Sequence, residues 1–293
     1  MTLTVFSNFR IDSKERLLRM KDSFHSFKNH KINQWVINVR GKYKLSAIKF
    51  LDKQLDKKLH VSSIDTGNGW FFDTKIISKK ISNDYILYWV EDHICICGKK
   101  KFNNIIDEIR KFNIEYLQYS FFGNGLLLNQ FKNIKKKETK CLFFFSHNKL
   151  THKIQCENTR PVIGRNPYIL GIVGIFKKEK FLEILNSNKL FLKRHPKDTP
   201  FDFEKSSSDT WVLPFKIGIP KFEMFSSIDD DNRYYLSSLI SRKLYPDRVS
   251  RFQLIEKESK KSTFYFNILK KIVKKILFFS WLQNIVKRIS YHF

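Results

Sequence analysis

The chain offers little to staple it together and little acid. Its four cysteines, Cys95, Cys97, Cys141 and Cys156, form no C-x2-C pair with a second pair downstream, which excludes the usual spacing of a structural zinc site. Cys95 and Cys97 alternate with Ile94 and Ile96 in a segment of strand character, so both fall on one face, as buried reduced thiols of a cytosolic protein do. No uncharged apolar run reaches the roughly 18 residues of a spanning helix. No charged segment followed by an apolar one opens the chain as a secretory signal would. No internal repeat and no clean linker interrupts the 293 residues, so one composite domain is expected over 1–250, with halves at 1–120 and 121–250. A tail over 260–293 follows.

Acids are scarce as well. The 28 Asp and Glu stand against 55 Lys and Arg, a net charge of +27. Such an excess favours polyanions: nucleic acid, an acidic membrane surface or phosphorylated substrates. The nucleic-acid option is the weaker one. Lys dominates over Arg beside abundant Asn, Ile and Phe, as an AT-biased genome would produce without selection for binding. The basic residues are scattered except at Lys99-Lys100-Lys101, Lys135-Lys136-Lys137 and the C-terminus, and no recognised nucleic-acid module is present. A hydrophobic fraction of 42% marks a folded chain.

What is present in the first 120 residues is alternation. Strand-like runs at Thr2 to Phe6, Gln34 to Val39, His60 to Ile64 and Asp84 to Val90 are separated by helical patterns at Lys14 to Phe27, Tyr43 to Leu59 and Trp70 to Ile81. A helix over Phe102 to Phe112 and a strand over Ile114 to Phe121 continue the series. Strand-helix alternation implies an α/β fold: a mostly parallel, Rossmann-like central sheet flanked by helices. The middle is less regular, with a basic loop from Lys132 to Lys140, a strand at Cys141 to Phe145, a Gly-interrupted apolar run from Tyr168 to Phe176 and a helix over Lys178 to Leu185.

The run Asp84 to Val90 is continuously apolar and ends abruptly in Glu91-Asp92-His93. Ligands collect at the carboxyl ends of strands in open α/β sheets. Adjacent acids there can hold a divalent cation, manganese or magnesium, against a phosphate, because hard cations prefer oxygen ligands. The competing reading is a solvated turn. Asp92, Glu91 and His93 are therefore the candidate metal ligands, and Asp229-Asp230-Asp231, which has the literal D-x-D spacing, is the rival site. Asn8 and Arg10 after the first strand, and Asn38 and Arg40 after the second, would meet at the same edge, where they can bond a base, ribose or phosphate. Thr199 to Glu204 embeds two carboxylates among aromatics. Partial desolvation there would raise a carboxylate's pKa and make Glu204 or Asp202 a base for an acceptor hydroxyl, unless either serves as a local cap.

Thr4-Val5-Phe6-Ser7-Asn8, Trp35-Val36-Ile37-Asn38 and Tyr88-Trp89-Val90-Glu91-Asp92-His93, in that order, resemble a bacterial GT-A type, family 2-like, nucleotide-diphospho-sugar glycosyltransferase. The resemblance implies a nucleotide-sugar donor, a glycan or lipid-linked acceptor in surface polysaccharide assembly, and a divalent cation. Two departures stand out. Glu91-Asp92-His93 is not D-x-D, and Asn38 stands where many members carry Asp, which implies altered metal dependence or a relative that has lost activity. Ser7-Asn8-Phe9-Arg10 contains no Gly, unlike the phosphate loop that opens a sugar-nucleotide nucleotidyltransferase. The alternatives are a non-catalytic scaffold and a nucleic-acid-binding basic protein.

From Phe264 to Phe293 there is no acid. On a helical wheel Lys270, Lys271, Lys274 and Lys275 gather opposite Leu269, Ile272, Val273, Ile276 and Leu277, with Phe278, Phe279 and Trp281 following. This amphipathic tail suits an anionic membrane interface, placing the protein in the cytoplasm, peripheral on the inner face. A terminal helix docked on its own core is the other reading.

Overall fold

The computed structural model describes residues 3–55, 59–120, 129–163, 166–187, 200, 203–204, 210–229 and 238–246. Asp202, Asp230, Asp231 and the tail 260–293 lie outside these. The elements in chain order are β1 (Leu3–Arg10), α1 (Lys14–Phe27), β2 (Gln34–Arg40), α2 (Lys44–Leu55), β3 (Leu59–Ser62), α3 (Trp70–Ser78), β4 (Tyr85–Tyr88) and β5 (His93–Cys95). There follow α4 (Lys99–Lys111), β6 (Tyr116–Gln118), β7 (Lys137–Glu138), β8 (Leu142–His147), α5 (Lys149–Ile163), β9 (Gly174–Lys177), α6 (Lys178–Leu185), β10 (Phe215–Pro220) and β11 (Phe225–Ser227).

Nine strands form one sheet in the order β3-β2-β1-β4-β9-β6-β10-β8-β7. β1, β2, β3 and β4 pair in parallel, as do β6 and β10, while β9 and β8 run against their neighbours. The expected α/β class and mostly parallel sheet are therefore observed. The order 3-2-1 reverses to 4 between β1 and β4, a topological switch point, and in open α/β sheets ligands collect at the carboxyl ends of the strands beside such a point.

β1 is longer than its apolar pattern suggests. Ser7 to Arg10, expected to follow the first strand, instead continues it in register with Ile37 to Arg40 of β2. The Asn8 side chain is tolerated there because it finds partners inside the protein, as described below. The helix expected over Tyr43 to Leu59 spans Lys44–Leu55, and Leu59 pairs with Trp35 at the start of β3. A small second sheet joins β5 to β11 antiparallel, Phe225 opposite Cys95 and Ser227 opposite His93.

α1 is anchored by its aromatic face. Ser13 caps it, accepting from the Arg16 amide at 3.1 Å, and Met20, Phe24 and Phe27 are fully buried. Phe24 and Phe27 each lie 5.3 Å from the Trp35 ring centroid, and Trp35 lies 5.8 Å from Trp89. Each such ring contributes roughly 1.5–3 kcal/mol on burial, so packing rather than helix propensity fixes α1. The Trp89 indole N–H donates to Ser23 Oγ at 2.8 Å, and Ser23 Oγ donates to the carbonyl of His93. α1 is thereby tied to the segment that follows β4.

Candidate active site

Glu91 and Asp92 form the turn between β4 and β5, closed by the His93 amide donating to the Val90 carbonyl at 3.2 Å. The Glu91 side chain is only 4% exposed. Arg16 of α1 reaches it: Nε donates to Oε1 at 2.8 Å and Nη2 donates to the same oxygen. Burial pushes the Glu91 carboxyl up, and the Arg16 charge opposes that push. The Glu91 charge in turn raises the Arg16 guanidinium, and Asp92 and Asp12 add to the effect. His93 Nδ1 donates to Asp92 Oδ1 at 2.8 Å. The other ring nitrogen of His93, Nε2, is buried with no hydrogen-bond partner among the described residues.

The rival acidic motif comes to the same corner. β11 pairs with β5, the Ile228 amide donates to the Asp92 carbonyl at 2.7 Å, and Asp229 follows directly. Arg19 Nη1 donates to Asp229 Oδ2 at 2.7 Å, and Arg19 Nε donates to Glu15 Oε1 at 3.1 Å. Burial works against the Arg19 charge, but the bonds to Asp229 and Glu15 outweigh it and hold its pKa up. Two arginines one helical turn apart thus clamp the two acidic segments that the sequence presents as competitors.

Asn8, Asn38 and Arg40 lie inside β1 and β2 and are almost fully buried. Asn8 Nδ2 donates to Thr74 Oγ1 at 2.8 Å and to the Trp70 carbonyl at 3.2 Å. Its Oδ1 accepts from Asn38 Nδ2 at 3.0 Å and from Arg40 Nε at 3.2 Å. Asn38 also exchanges bonds with the backbone of Ile64, donating at 2.8 Å and accepting at 2.7 Å. Three of the four residues expected to contact a nucleotide therefore form a polar network that joins the two strands to α3 and to the loop after β3. Arg10 is half-buried at the end of β1 and pairs with Asp65 at 3.2 Å.

Glu204 Oε1 accepts from the Ile172 amide at 3.0 Å, and the neighbouring Gly171 exchanges 3.0 Å bonds with the Tyr116 hydroxyl. Burial first, and then the Glu204 charge, raise the Tyr116 pKa. β9 begins just after Ile172 and runs against β4 and β6, with Leu87 opposite Ile175 and Gln118 opposite Gly174. This register places Glu204 at the same sheet edge as the ends of β1 and β4. Phe203 packs on Phe181 at 5.2 Å and Trp70 at 6.4 Å, and the Trp70 indole donates to the Asn8 carbonyl at 2.9 Å.

A divalent cation is what the resemblance implies at this corner. Such an ion needs several oxygen ligands at once. Glu91 is committed to Arg16, Asp229 to Arg19, and Asp92 accepts from His93. Among the described residues no group of three or more His, Cys, Asp or Glu is placed to hold a metal ion. As arranged, Glu91, Asp92 and His93 do not fit a cation site.

Neither a family model nor a curated protein matches the chain. Solved structures do. TarS from S. aureus superposes with a TM-score of 0.51 at 12% identity, covering 78% of this chain and 36% of TarS. The 1–349 piece of TarS in complex with UDP-GlcNAc gives 0.50 at 13%, covering 81% and 61%. A mannosyltransferase from Pyrobaculum calidifontis, solved with GDP-Man and Mn2+, gives 0.47 at 10%, covering 79% and 58%. The chain spans less than two thirds of the length of each of these chains. At this identity the likeness to the two TarS structures is one of fold: a mixed α/β architecture with a large, mostly parallel central sheet flanked by helices.

Proposed function

We propose that the protein is a glycosyltransferase that moves a sugar from a nucleotide-diphospho-sugar donor to a hydroxyl acceptor. The observation that carries this reading is convergence. Arg10, the Glu91-Asp92-His93 turn and Glu204 come from distant parts of the chain to one sheet edge, beside the switch point between β1 and β4. In the reaction the acceptor oxygen bonds to the anomeric carbon, the bond from that carbon to the diphosphate breaks, and the hydroxyl proton passes to a carboxylate. We assign Glu204 as that base, with Asp202, outside the described residues, as the second candidate. The leaving diphosphate carries the negative charge and needs cationic groups or N–H donors beside it. Asp92, with its carboxylate oriented by His93, is the acid of this corner that we assign to the site.

The acceptor we assign is a glycan or a lipid-linked glycan of surface polysaccharide assembly. The basic amphipathic stretch 264–293 would hold the enzyme on the anionic inner face of the cell membrane. Release of a nucleoside diphosphate from candidate UDP- and GDP-sugars tests the activity. Asp92→Ala should abolish turnover with the thermal melting curve preserved, and unchanged turnover in that variant would remove Asp92 from the site. Deletion of 261–293 should release the protein from anionic vesicles in flotation, and retained binding would overturn the tail assignment.

A further inference from the structure

We infer that Arg16 is the cation that meets the donor diphosphate at this corner, taking the place of a divalent metal ion. The inference rests on the nucleotide-sugar reading above and goes beyond it by naming the group that binds the phosphates. Arg16 sits in the first full turn of α1, one residue from Leu17 and one turn before the buried Met20, so the helix's aromatic anchoring fixes its backbone. Its side chain is 47% exposed while its partner Glu91 is 4% exposed. The guanidinium therefore bridges from a buried carboxylate to open solvent at the ligand edge. Nε and Nη2 are spent on Glu91 Oε1, and Nη1 has no partner among the described residues.

A planar guanidinium held along one side by a buried acid presents its remaining N–H groups in a fixed direction, the geometry that suits a phosphate oxygen. Glu91 then acts as a positioning residue, not as a metal ligand. The Glu91 charge that a metal ion would neutralise is already met by the guanidinium, which bonds Oε1 through both Nε and Nη2. The departure of Glu91-Asp92-His93 from D-x-D gains a physical reason: the position nearest the strand holds an arginine. Arg19, the next basic residue on the same face, is engaged with Asp229 and Glu15 and is nine-tenths buried, so it supports the corner from behind.

The test is calorimetric titration of UDP and GDP, beside uridine and guanosine, into the full chain, first in EDTA and then with excess manganese. The expected result is nucleoside diphosphate binding in EDTA with an affinity changed less than about threefold by manganese. Because Arg16→Gln alone leaves Glu91 unpaired, the informative variant is the double substitution Arg16→Gln with Glu91→Gln, which replaces the ion pair by a neutral hydrogen bond. It should weaken diphosphate binding by about tenfold or more and leave nucleoside binding unchanged. Diphosphate binding that requires manganese, or a double variant that binds like the wild type in EDTA, overturns the role of Arg16 while leaving the glycosyltransferase reading intact. Absence of nucleotide binding under both conditions overturns that reading and this inference together.

Discussion

Arg16 and Glu91 lie 75 residues apart, yet the guanidinium Nε of one stands 2.8 Å from the carboxylate of the other, joining the first helix to the turn after β4. The pair is lopsided, with its acid buried and its base half in water. Removing the base strands a charge that water cannot reach, whereas removing the charge of the acid leaves an arginine that can solvate itself. Arg16→Met should therefore destabilise the fold by about 3 kcal/mol, and Glu91→Gln, which keeps an acceptor of the same shape, by about 1 kcal/mol. Denaturant unfolding of the two variants measures the asymmetry. Equal losses would show that Glu91 is not dependent on its partner.

Much of the scaffold was legible because burial on both faces leaves a plain signal. Tyr85 to Tyr88 is apolar throughout and is a central strand, and the helix and strand alternation before it predicts the parallel half of the sheet. The polar end of β1 was not legible. Ser7-Asn8-Phe9-Arg10 has turn composition, and only the partners supplied by Thr74, Trp70 and Arg40 make it strand. The site's cations were also missed. Arg16 and Arg19 resemble the solvated face of a helix, and the available signal was subtle: Arg19 falls among Met20, Ser23 and Phe27 on the face that must be buried. The union of Glu91-Asp92 with Asp229 depends on β5 pairing with β11, from Phe225 opposite Cys95 to Ser227 opposite His93, and three-residue strands carry no periodicity to announce it.

Asn8 is the node of the polar network between β1, β2 and α3. Its amide donates two bonds and accepts two, all in the interior. Asn8→Ala strands Thr74, Asn38 and Arg40 groups at once and should cost about 3 kcal/mol, more than a single typical hydrogen bond provides. In a double-mutant cycle with Asn38→Ala the two losses should overlap by about 1 kcal/mol, because they share the 3.0 Å bond. Strict additivity would show that the network does not act as a unit.

Gly174 opens β9, the strand wedged between β4 and β6. A Cβ there would stand 2.4 Å from Tyr116 Cε2 and 2.8 Å from the Leu117 carbonyl oxygen. Tyr116 is 1% exposed and bonded at its hydroxyl, so it has no room to yield. Gly174→Ala should cost about 2 kcal/mol or more through overpacking. Gly98→Ala is the matched control, since nothing lies within 4 Å of its added methyl, and it should change stability by less than about 1 kcal/mol. Similar effects from both would sink the steric account.

His147 gives the fold a dependence on pH that is separate from the site. It ends β8, is fully buried among Phe131, Phe145 and Phe215, and has one ring nitrogen with no hydrogen-bond partner among the described residues. Burial first, and then the nearby His152, push its pKa down to about 3. The sign follows from linkage. Below about 6.5 the unfolded chain takes up a proton that the folded chain refuses, so stability is full above that pH and is lost on acidification toward 3. Between pH 7.5 and pH 5 this histidine should remove about 2 kcal/mol. His147→Phe keeps an aromatic ring among aromatic neighbours and should flatten that part of the pH profile, while the carboxylates titrate alike in both proteins. Unfolding free energies measured at the two pH values decide the matter, and parallel profiles would mean that His147 accepts a proton without leaving its pocket.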